Sequence, residues 1–342
     1  MQKKPRILSI DLGYSSVKYS YFDENGLLVN EKFISSVAKL PEQPLMADQN
    51  SVFSLNGCYY VLAESALKLD RSLLMPLESY NDMKEVYPVV ISYVLKKLGN
   101  QNWSKVCLGL SMAFSDKADD LLDYLYTALL IDRSNNYFLV YPQGLACRYC
   151  YDTYKENPRD PAVHSSSNTL SNAVICDGGF LSLDLCAIID HKSAAGQTIG
   201  LENTGVLNIS RELANYIYKN YEYRISIKEA QVAVDSRQIV RRGRTIDLTD
   251  IVDKLSKQYL ISVLNLIEEK YSNYLDVVEG ILFVGGISYF MSRALEDPEF
   301  CNEVEKHYPV SFIHCPKELG EYYNSIGYLL LTEDLLKKGK IQ

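Results

Sequence analysis

Residues 7–22, ILSIDLGYSSVKYSYF, return in altered form as residues 173–188, AVICDGGFLSLDLCAI. In each copy an apolar, β-rich run leads to an acidic residue and a glycine, and then resumes as alternating apolar and polar residues. This pattern is typical of a strand, a tight turn and a returning strand. Aligned without gaps, the copies match Asp11 with Asp177, Gly13 with Gly179, Tyr14 with Phe180, Ser16 with Ser182 and Lys18 with Asp184. The repeat therefore predicts two related domains, each with one such turn.

Each predicted turn combines residue types that bind phosphate and magnesium. Glycine lets backbone N–H groups come close to an anion, and a carboxylate beside them can hold the water shell of Mg²⁺. Two such turns can face each other across a cleft. The repeat therefore indicates a nucleotide held between two related domains.

The length and charge of the chain limit its possible functions. A chain of 342 residues with 47% hydrophobic content is long enough for two domains with separate cores, which we place at residues 1–165 and 166–342. A formal net charge of −8 is unlike the basic footprint of a protein that binds nucleic acid across its own surface. We therefore expect no direct nucleic-acid contact, and any DNA partner would need an adaptor protein.

The cysteines and the lack of long apolar runs predict a cytoplasmic protein without membrane contact. The eight cysteines are scattered, mostly in apolar runs, which fits a reducing compartment. Cys147 and Cys150 form a CxxC pair, but no second pair or nearby histidine completes a zinc site. No run approaches the ~20 apolar residues of a membrane span, and no segment behind the N-terminal MQKKPR resembles a signal peptide.

Periodicity predicts a similar plan in both halves. The first half opens with a three-stranded meander, in which DENG at 23–26 forms the second turn, and alternating helices and strands follow. A polar segment at 152–172 is predicted to be an exposed connection. The predicted strands are 6–12, 15–22, 27–34, VCLGLSMAF, YFLVYP, 173–177, 181–190, GILFVGG and VSFIHCP, with a strand or loop at 193–200. The predicted helices are 82–98, 116–131, 205–220, 249–272 and 320–337.

Several motifs together carry a family resemblance. DLGYSSVK, YPQGLACRY, CDGGFLSLD, LENTGVLNISREL and ILFVGGISYF occur in this order over nearly the whole chain, and YYNSIGYLLL follows them at 322–331. This set resembles the actin-like ATPases, and most of all the bacterial ParM type that segregates plasmids. The resemblance implies an α/β, actin-like (ribonuclease H-like) fold of duplicated domains with a nucleotide cleft between them. It also implies ATP or GTP with Mg²⁺ as cofactors and self-association into filaments.

The resemblance also implies roles for particular residues. Gln143 falls where actins orient the attacking water, and with Asp177 it forms the predicted catalytic pair. Asp11 and Asp177 would hold Mg²⁺ through its waters. The first phosphate loop would comprise Asp11, Gly13, Tyr14, Ser15, Ser16 and Lys18; the second, Asp177, Gly178, Gly179, Phe180 and Ser182; and the adenosine side, Gly205, Gly285, Gly286 and Ile287.

Tyr14 and Phe180 depart from the family pattern, which has small residues at both positions. Leu181 also stands where a threonine is common. An aromatic side chain on each loop could narrow the γ-phosphate pocket or displace a backbone donor. Since one oxyanion donor is worth ~3 kcal/mol, the loss of one would slow hydrolysis about a hundredfold or more, so we expect nucleotide binding rather than fast turnover.

Three functions remain open at this point. The first is a cytoskeletal ATPase whose filaments move a plasmid, through a DNA-binding adaptor, or position a cell structure. The second is a small-molecule kinase of the same superfamily, with Asp184 as a possible base. The third is a scaffold that binds nucleotide without hydrolysis. A basic cluster, which is either a solvated hairpin or a contact for a filament or an acidic adaptor, comprises Arg237, Arg241, Arg242 and Arg244.

Overall fold

The computed structural model describes residues 5–43, 52–77, 79–99, 102–154, 170–308, 311–313 and 319–341. The chain divides into two compact units, one of Met1–Thr153 with Tyr322–Gln342 and the other of Tyr154–Glu321. Most of the predicted connection at 152–172 lies outside the described residues, and so do parts of the predicted strand VSFIHCP.

The strands, in chain order, are β1 (Ile7–Leu12), β2 (Ser16–Phe22), β3 (Leu28–Ile34), β4 (Val37–Leu40), β5 (Val52–Leu55), β6 (Cys58–Leu62), β7 (Lys105–Leu110), β8 (Phe138–Pro142), β9 (Ala173–Gly178), β10 (Leu183–Ile189), β11 (Lys192–Leu201), β12 (Gln238–Arg241), β13 (Arg244–Asp247), β14 (Ile281–Gly285) and β15 (Phe312–Ile313). The helices are α1 (Ala63–Ala66), α2 (Tyr80–Lys97), α3 (Ala118–Ala128), α4 (Cys147–Tyr154), α5 (Leu207–Tyr221), α6 (Ile227–Ser236), α7 (Thr249–Leu275), α8 (Gly286–Ala294), α9 (Pro298–His307) and α10 (Tyr323–Lys337).

The first unit is built on a five-stranded sheet in the order β3-β2-β1-β7-β8. The strands β1, β2 and β3 pair antiparallel as the predicted meander, and β7 and β8 continue the sheet in parallel. At the second turn of the meander Asp23 Oδ1 accepts hydrogen bonds from the N–H groups of Asn25 and Leu27, while Gly26 adopts a φ of +78°. Every residue of β1 is buried, so the acidic residue at its end is carried into the interior of the unit.

The second unit repeats this plan. Its five-stranded sheet has the order β11-β10-β9-β14-β15, in which β9 and β10 pair antiparallel and β9, β14 and β15 run in parallel. The helices α5, α7 and α8 contribute apolar side chains to one core with β9 and β10. The matching strand orders confirm the α/β fold of duplicated domains that the sequence predicted.

The closing helix α10 belongs to the first unit, which differs from the predicted division at 165 and 166. Its Tyr328 and Leu329 are buried in one apolar cluster with Ile7 and Cys107 of the first sheet. A Cβ added to Gly109 would lie only 2.3 Å from the Tyr328 hydroxyl oxygen. The apolar face of α10 is therefore buried against strands that lie far away in the sequence.

The second unit also contains a hairpin, which was one of the two interpretations of the basic cluster, and two helices, α6 and α9, that the strand and helix predictions did not include. The variable stretch before 245 forms α6, which starts with a capping box between Ser226 and Glu229, and the hairpin of β12 and β13. Arg242 and Gly243 turn this hairpin with positive φ angles of 47° and 74°. Helix α9 was not predicted, although Pro298 at its start, capped by the preceding aspartate, is a typical helix-start signal.

Candidate functional site

The two predicted turns have the same backbone hydrogen bond at matching positions. Gly13 N–H donates to Ser16 O at 3.1 Å in the turn from β1 to β2. Gly179 N–H donates to Ser182 O at 2.9 Å in the turn from β9 to β10. The sequence repeat is therefore also a repeat of backbone geometry.

The segment that leads into α5 holds the second turn through hydrogen bonds. The carbonyl groups of residues 179–181 accept hydrogen bonds of 2.8–3.0 Å from the N–H groups of residues 205–207. In a trans peptide the C=O and the following N–H point in opposite directions, and the described chain contains no cis peptide bond. The N–H groups of residues 180–182 therefore point away from α5, and successive N–H groups on one side of a turn suit an anion such as phosphate.

Ser35 holds the first turn in a similar way. Its hydroxyl donates to Gly13 O at 2.5 Å, and its N–H donates to Ser15 O at 3.1 Å. By the same argument the N–H of Tyr14 points away from Ser35. Both turns are thus fixed through their carbonyl groups at the first and third positions.

Only glycine fits at Gly205, because the hydrogen bonds between residues 205–207 and the second turn bring the two backbones close together. A Cβ at this position would lie 2.5 Å from Phe180 O and 2.6 Å from Gly179 O. Such a contact would push the turn away from α5. The structure thus gives Gly205 a clear role in holding the second turn, while its predicted contact with adenosine stays a prediction.

Gly285 and Gly286 lie against the second turn within the second unit. Gly285 pairs with Gly178 across β14 and β9 and has a φ of +72°. A Cβ on Gly285 would lie 2.5 Å from Asp177 Oδ1, and one on Gly286 would lie 3.3 Å from Gly178 O. The structure therefore brings these predicted site residues together.

Ile287 has a different environment from the other predicted adenosine contacts. Its side chain is fully buried and packs on Gly178, where a Cβ would lie 2.5 Å from Ile287 Cβ. Any contact of Ile287 with a ligand would therefore use its backbone.

The first unit places Asp11, Lys18 and Gln143 beside the first turn. Gln143 Nε2 donates to Asp11 Oδ1 at 2.8 Å, and both side chains are buried. Lys18 pairs with Asp11 across β1 and β2, and its Nζ lies 3.3 Å from the position of a Cβ on Gly13. Burial raises the pKa of Asp11, and the Lys18 ammonium and the Gln143 amide act in the opposite direction. The turn thus combines a positive charge with a carboxyl group that can hold the waters of a divalent cation.

The second unit places two acidic side chains side by side. Asp177 and Asp184 are directly opposite each other in the antiparallel register of β9 and β10, and both are buried. Like charges opposite each other in a sheet are destabilising, so a cation beside them would stabilise this arrangement. Burial first, and then these two carboxyl groups, raise the pKa of the neighbouring Cys176 thiol well above its usual range. Cys176 is therefore an unreactive core residue.

The aromatic residue on each turn is half-buried. Tyr14 is half-buried and packs against the apolar core of the first unit. Phe180 is also half-buried, and its carbonyl group accepts the hydrogen bond from Leu207 N at 2.8 Å. Both turns thus form the same glycine-to-serine backbone hydrogen bond beside these aromatic residues.

Two of the four arginines in the basic cluster form contacts within the second unit. Arg237 forms an ion pair with Asp253 at 2.6 Å, and the Arg241 guanidinium lies 3.7 Å from the ring centre of Tyr223. Arg242 is exposed at the tip of the hairpin, as is Arg244.

Sequence reasoning missed two residues that support the site, Ser35 and Asn324. Asn324 is a buried amide on α10 whose Oδ1 accepts from Gly144 N at 2.8 Å, directly after Gln143 in the chain. A polar residue inside the apolar run YYNSIGYLLL was the available signal for Asn324. Ser35 had no comparable signal.

Within the described residues, no helix is both long and apolar enough to cross a membrane. The same residues contain no group of three or more histidine, cysteine, aspartate or glutamate side chains placed to hold a metal ion directly.

Comparison with known proteins gives a family match for part of the chain. Residues 175–297 match the C-terminal domain of the archaeal actin homologue described as MreB-like. No curated protein matches the chain by sequence.

Solved structures match nearly the whole chain. An archaeal actin homologue in complex with ADP is 15% identical, with 97% of this chain and 99% of that one covered and a TM-score of 0.68. The ParM of a 15-stranded filament from Clostridium botulinum is 17% identical, with 97% and 100% covered and a TM-score of 0.67. ParM from Bacillus thuringiensis with ATP is 15% identical, with 98% and 100% covered and a TM-score of 0.61.

Proposed function

This chain has the actin-like fold, and from that premise we propose that it is a cytoskeletal protein that binds ATP with Mg²⁺ and polymerises into filaments. The observation that carries the proposal is the repeated turn, with one glycine N–H to serine carbonyl hydrogen bond and one buried aspartate in each unit. A fold alone does not specify a ligand. Two matched turns with anion-binding geometry and adjoining carboxylates do favour a nucleotide with its cation.

In this proposal the two turns contribute different groups to nucleotide binding. The N–H groups of residues 180–182 and of Tyr14 donate to phosphate oxygens, and Lys18 supplies positive charge. Asp11 and Asp177 bind Mg²⁺ through its waters, as a hard cation that dehydrates reluctantly prefers. The remaining polar and glycine positions of the predicted loops complete the phosphate and adenosine contacts: Gly13, Ser15, Ser16, Gly178, Gly179, Ser182, Gly205, Gly285 and Gly286. Competition between ATP and GTP for binding distinguishes the two bases.

Hydrolysis would depend on Gln143 and is expected to be slow. Phosphoryl transfer needs mainly positioning and charge stabilisation, and a neutral amide that already donates to Asp11 can orient a water molecule. Tyr14 and Phe180 place aromatic bulk on both turns, which restricts access to the γ-phosphate. We therefore expect phosphate release slower than filament assembly.

Filament formation is supported by what the structural relatives do. One of them is a ParM filament from Clostridium botulinum, and another is described as a MamK double helical filament. A head-to-tail interface propagates as a filament when its rotation does not close a ring. Because the net charge is −8, we propose that any plasmid cargo is attached through a DNA-binding adaptor protein.

Sedimentation and light scattering test the proposal directly. We expect wild-type protein with Mg²⁺ to sediment with ATP or a non-hydrolysable analogue and to stay soluble with ADP. Lys18→Met should abolish this assembly, whereas Lys39→Met, on an exposed position of β4, should not. A chain that stays monomeric at high concentration with all three nucleotides would overturn the filament proposal.

A kinase remains a second candidate because Asp184 is a buried carboxyl group beside Asp177. Such an enzyme would consume ATP only when a sugar or a carboxylic acid is added, without assembly. A scaffold without hydrolysis would assemble with ATP and release no phosphate. Phosphate release from assembled wild type, compared with Gln143→Ala and Asp177→Ala, separates these outcomes.

A further inference from the structure

We propose that Asn324 on α10 is a positioning residue for Gln143, because its side-chain oxygen fixes the backbone turn that directs the Gln143 amide to Asp11. This inference rests on the proposed function, in which Gln143 orients the attacking water. It concerns contacts within the first unit, between residues that lie far apart in the sequence.

The contact is made by a buried amide. Asn324 is 6% exposed, and its Oδ1 accepts hydrogen bonds from Gly144 N at 2.8 Å and from Cys147 Sγ at 3.1 Å. Gly144 has a φ of +79°, so the chain turns sharply directly after Gln143. Loss of the acceptor would leave a buried N–H without its partner, which is unfavourable and therefore favours a change in the turn.

Gln143 is fixed on its other side by the sheet. Its N–H donates to Leu110 O at 2.8 Å, and its side chain donates to Asp11 Oδ1 at 2.8 Å. The side-chain direction of Gln143 therefore depends on two backbone anchors, Leu110 before it and the Asn324 contact after it. Removal of the second anchor would let the amide move relative to Asp11.

The position of Asn324 is itself well defined, because α10 lies very close to this turn. A Cβ on Gly327 would lie 2.3 Å from Ala146 O, so only glycine allows this approach. Ser325 Oγ lies 2.7 Å from Ser20 Oγ on β2, the strand that also carries Lys18. The start of α10 thus supports both the Gln143 turn and the strand of the first phosphate turn.

The expected consequence is a loss of turnover without a loss of nucleotide affinity. A displacement of about 1 Å in a positioning group can lower a rate by up to ~10²-fold. We expect Asn324→Leu, which removes the acceptor, to lower kcat for phosphate release at least tenfold and to leave the nucleotide Kd within about twofold. Asn324→Asp keeps an acceptor oxygen and should retain most of the wild-type kcat.

Thr332→Val is the matched control on the same helix. Thr332 is buried, and its hydroxyl lies 2.9 Å from the Tyr141 hydroxyl and 3.0 Å from Cys107 Sγ, away from Gln143. This variant also loses buried hydrogen bonds on α10. It should keep the wild-type kcat, which separates positioning from a general weakening of the helix.

Crystal structures of nucleotide-free wild type and Asn324→Leu give a readout that needs no hydrolysis. We expect the distance from Gln143 Nε2 to Asp11 Oδ1 to exceed 3.5 Å in the variant. A variant that keeps this hydrogen bond, or one with wild-type kcat, overturns the inference. If Asn324→Leu does not fold, Asn324→Ala takes its place. If wild type binds no nucleotide, the proposed function fails, and the crystal structures alone decide the positioning role.

Discussion

Asp11 is buried, and its surroundings favour the neutral carboxyl group. Burial raises its pKa from 3.8, against the effects of Lys18 and Gln143. Because the folded chain holds this proton more tightly than the unfolded chain, stability falls as pH rises from 3.8 through the raised pKa. Asp11→Asn removes the buried charge and keeps an oxygen that can accept from Gln143. We expect this variant to melt at a higher temperature than wild type at pH 8, with a difference that shrinks toward pH 4.

The pKa of Asp23 is shifted in the opposite direction, so a substitution at Asp23 serves as the control. Its pKa is lowered, first by the hydrogen bond from Leu27 N–H. The resulting stability is present above the unfolded pKa and is lost as pH falls through the folded pKa. Asp23→Asn should therefore melt below wild type at pH 8. Thermal unfolding at both pH values checks the pair, and an Asp11→Asn protein that melts below wild type at pH 8 would contradict this view of Asp11.

Alanine substitutions at Gly285 and Gly243 distinguish damage to the proposed site from the effect of a positive φ angle. Both have positive φ angles (72° and 74°), so alanine is strained at either position, and more so at Gly285, whose ψ of −156° lies in a region that essentially only glycine adopts. At Gly243 a new Cβ meets nothing within 4 Å, whereas at Gly285 it would lie 2.5 Å from Asp177 Oδ1. We expect Gly285→Ala to be the less stable variant and to lower nucleotide affinity at least tenfold. Gly243→Ala should bind like wild type; equal affinities for the two variants would argue against a role of Gly285 at the site.

At the scale of elements, α10 is essential to the first unit. Burial of Ile326 and Leu329 alone contributes about 3–6 kcal/mol, a large share of the about 5–15 kcal/mol by which a domain is stable. A chain that ends at Glu321 should therefore be insoluble or lack cooperative unfolding of its first unit. A chain that ends at Gly339 retains α10 and should unfold like wild type. Circular dichroism during thermal unfolding compares the two, and a cooperative, soluble shorter chain would show that α10 is dispensable.

The hairpins of both units could be predicted because their signals are local. An apolar strand, a glycine turn and a returning strand are contiguous in the sequence, and the repeat of this pattern was enough to locate both turns. Helix α10 was also predicted, but its assignment to the first unit depends on packing against β1, β2 and β7, which no local pattern encodes. The contact of Asn324 with Gly144 has the same origin, since it joins residues 180 positions apart.

At the scale of the whole molecule, we propose that the turns of both units contribute to the binding of ATP. Each unit supplies one buried aspartate beside a turn with the same hydrogen bond. Loss of either aspartate should therefore weaken the same binding event. Asp11→Asn tests the first turn and Asp177→Asn tests the second, while Asp23→Asn changes an aspartate of the first unit that follows β2, at the end of this strand opposite the first turn.

Isothermal titration calorimetry with ATP and Mg²⁺ tests whether both turns contribute to nucleotide binding. The protein concentration is kept below the concentration at which filaments assemble. Wild type and Asp23→Asn should each bind one nucleotide per chain with similar affinity, and both Asp11→Asn and Asp177→Asn should weaken binding at least tenfold. The absence of binding to wild type, or wild-type affinity in either site variant, would contradict the claim.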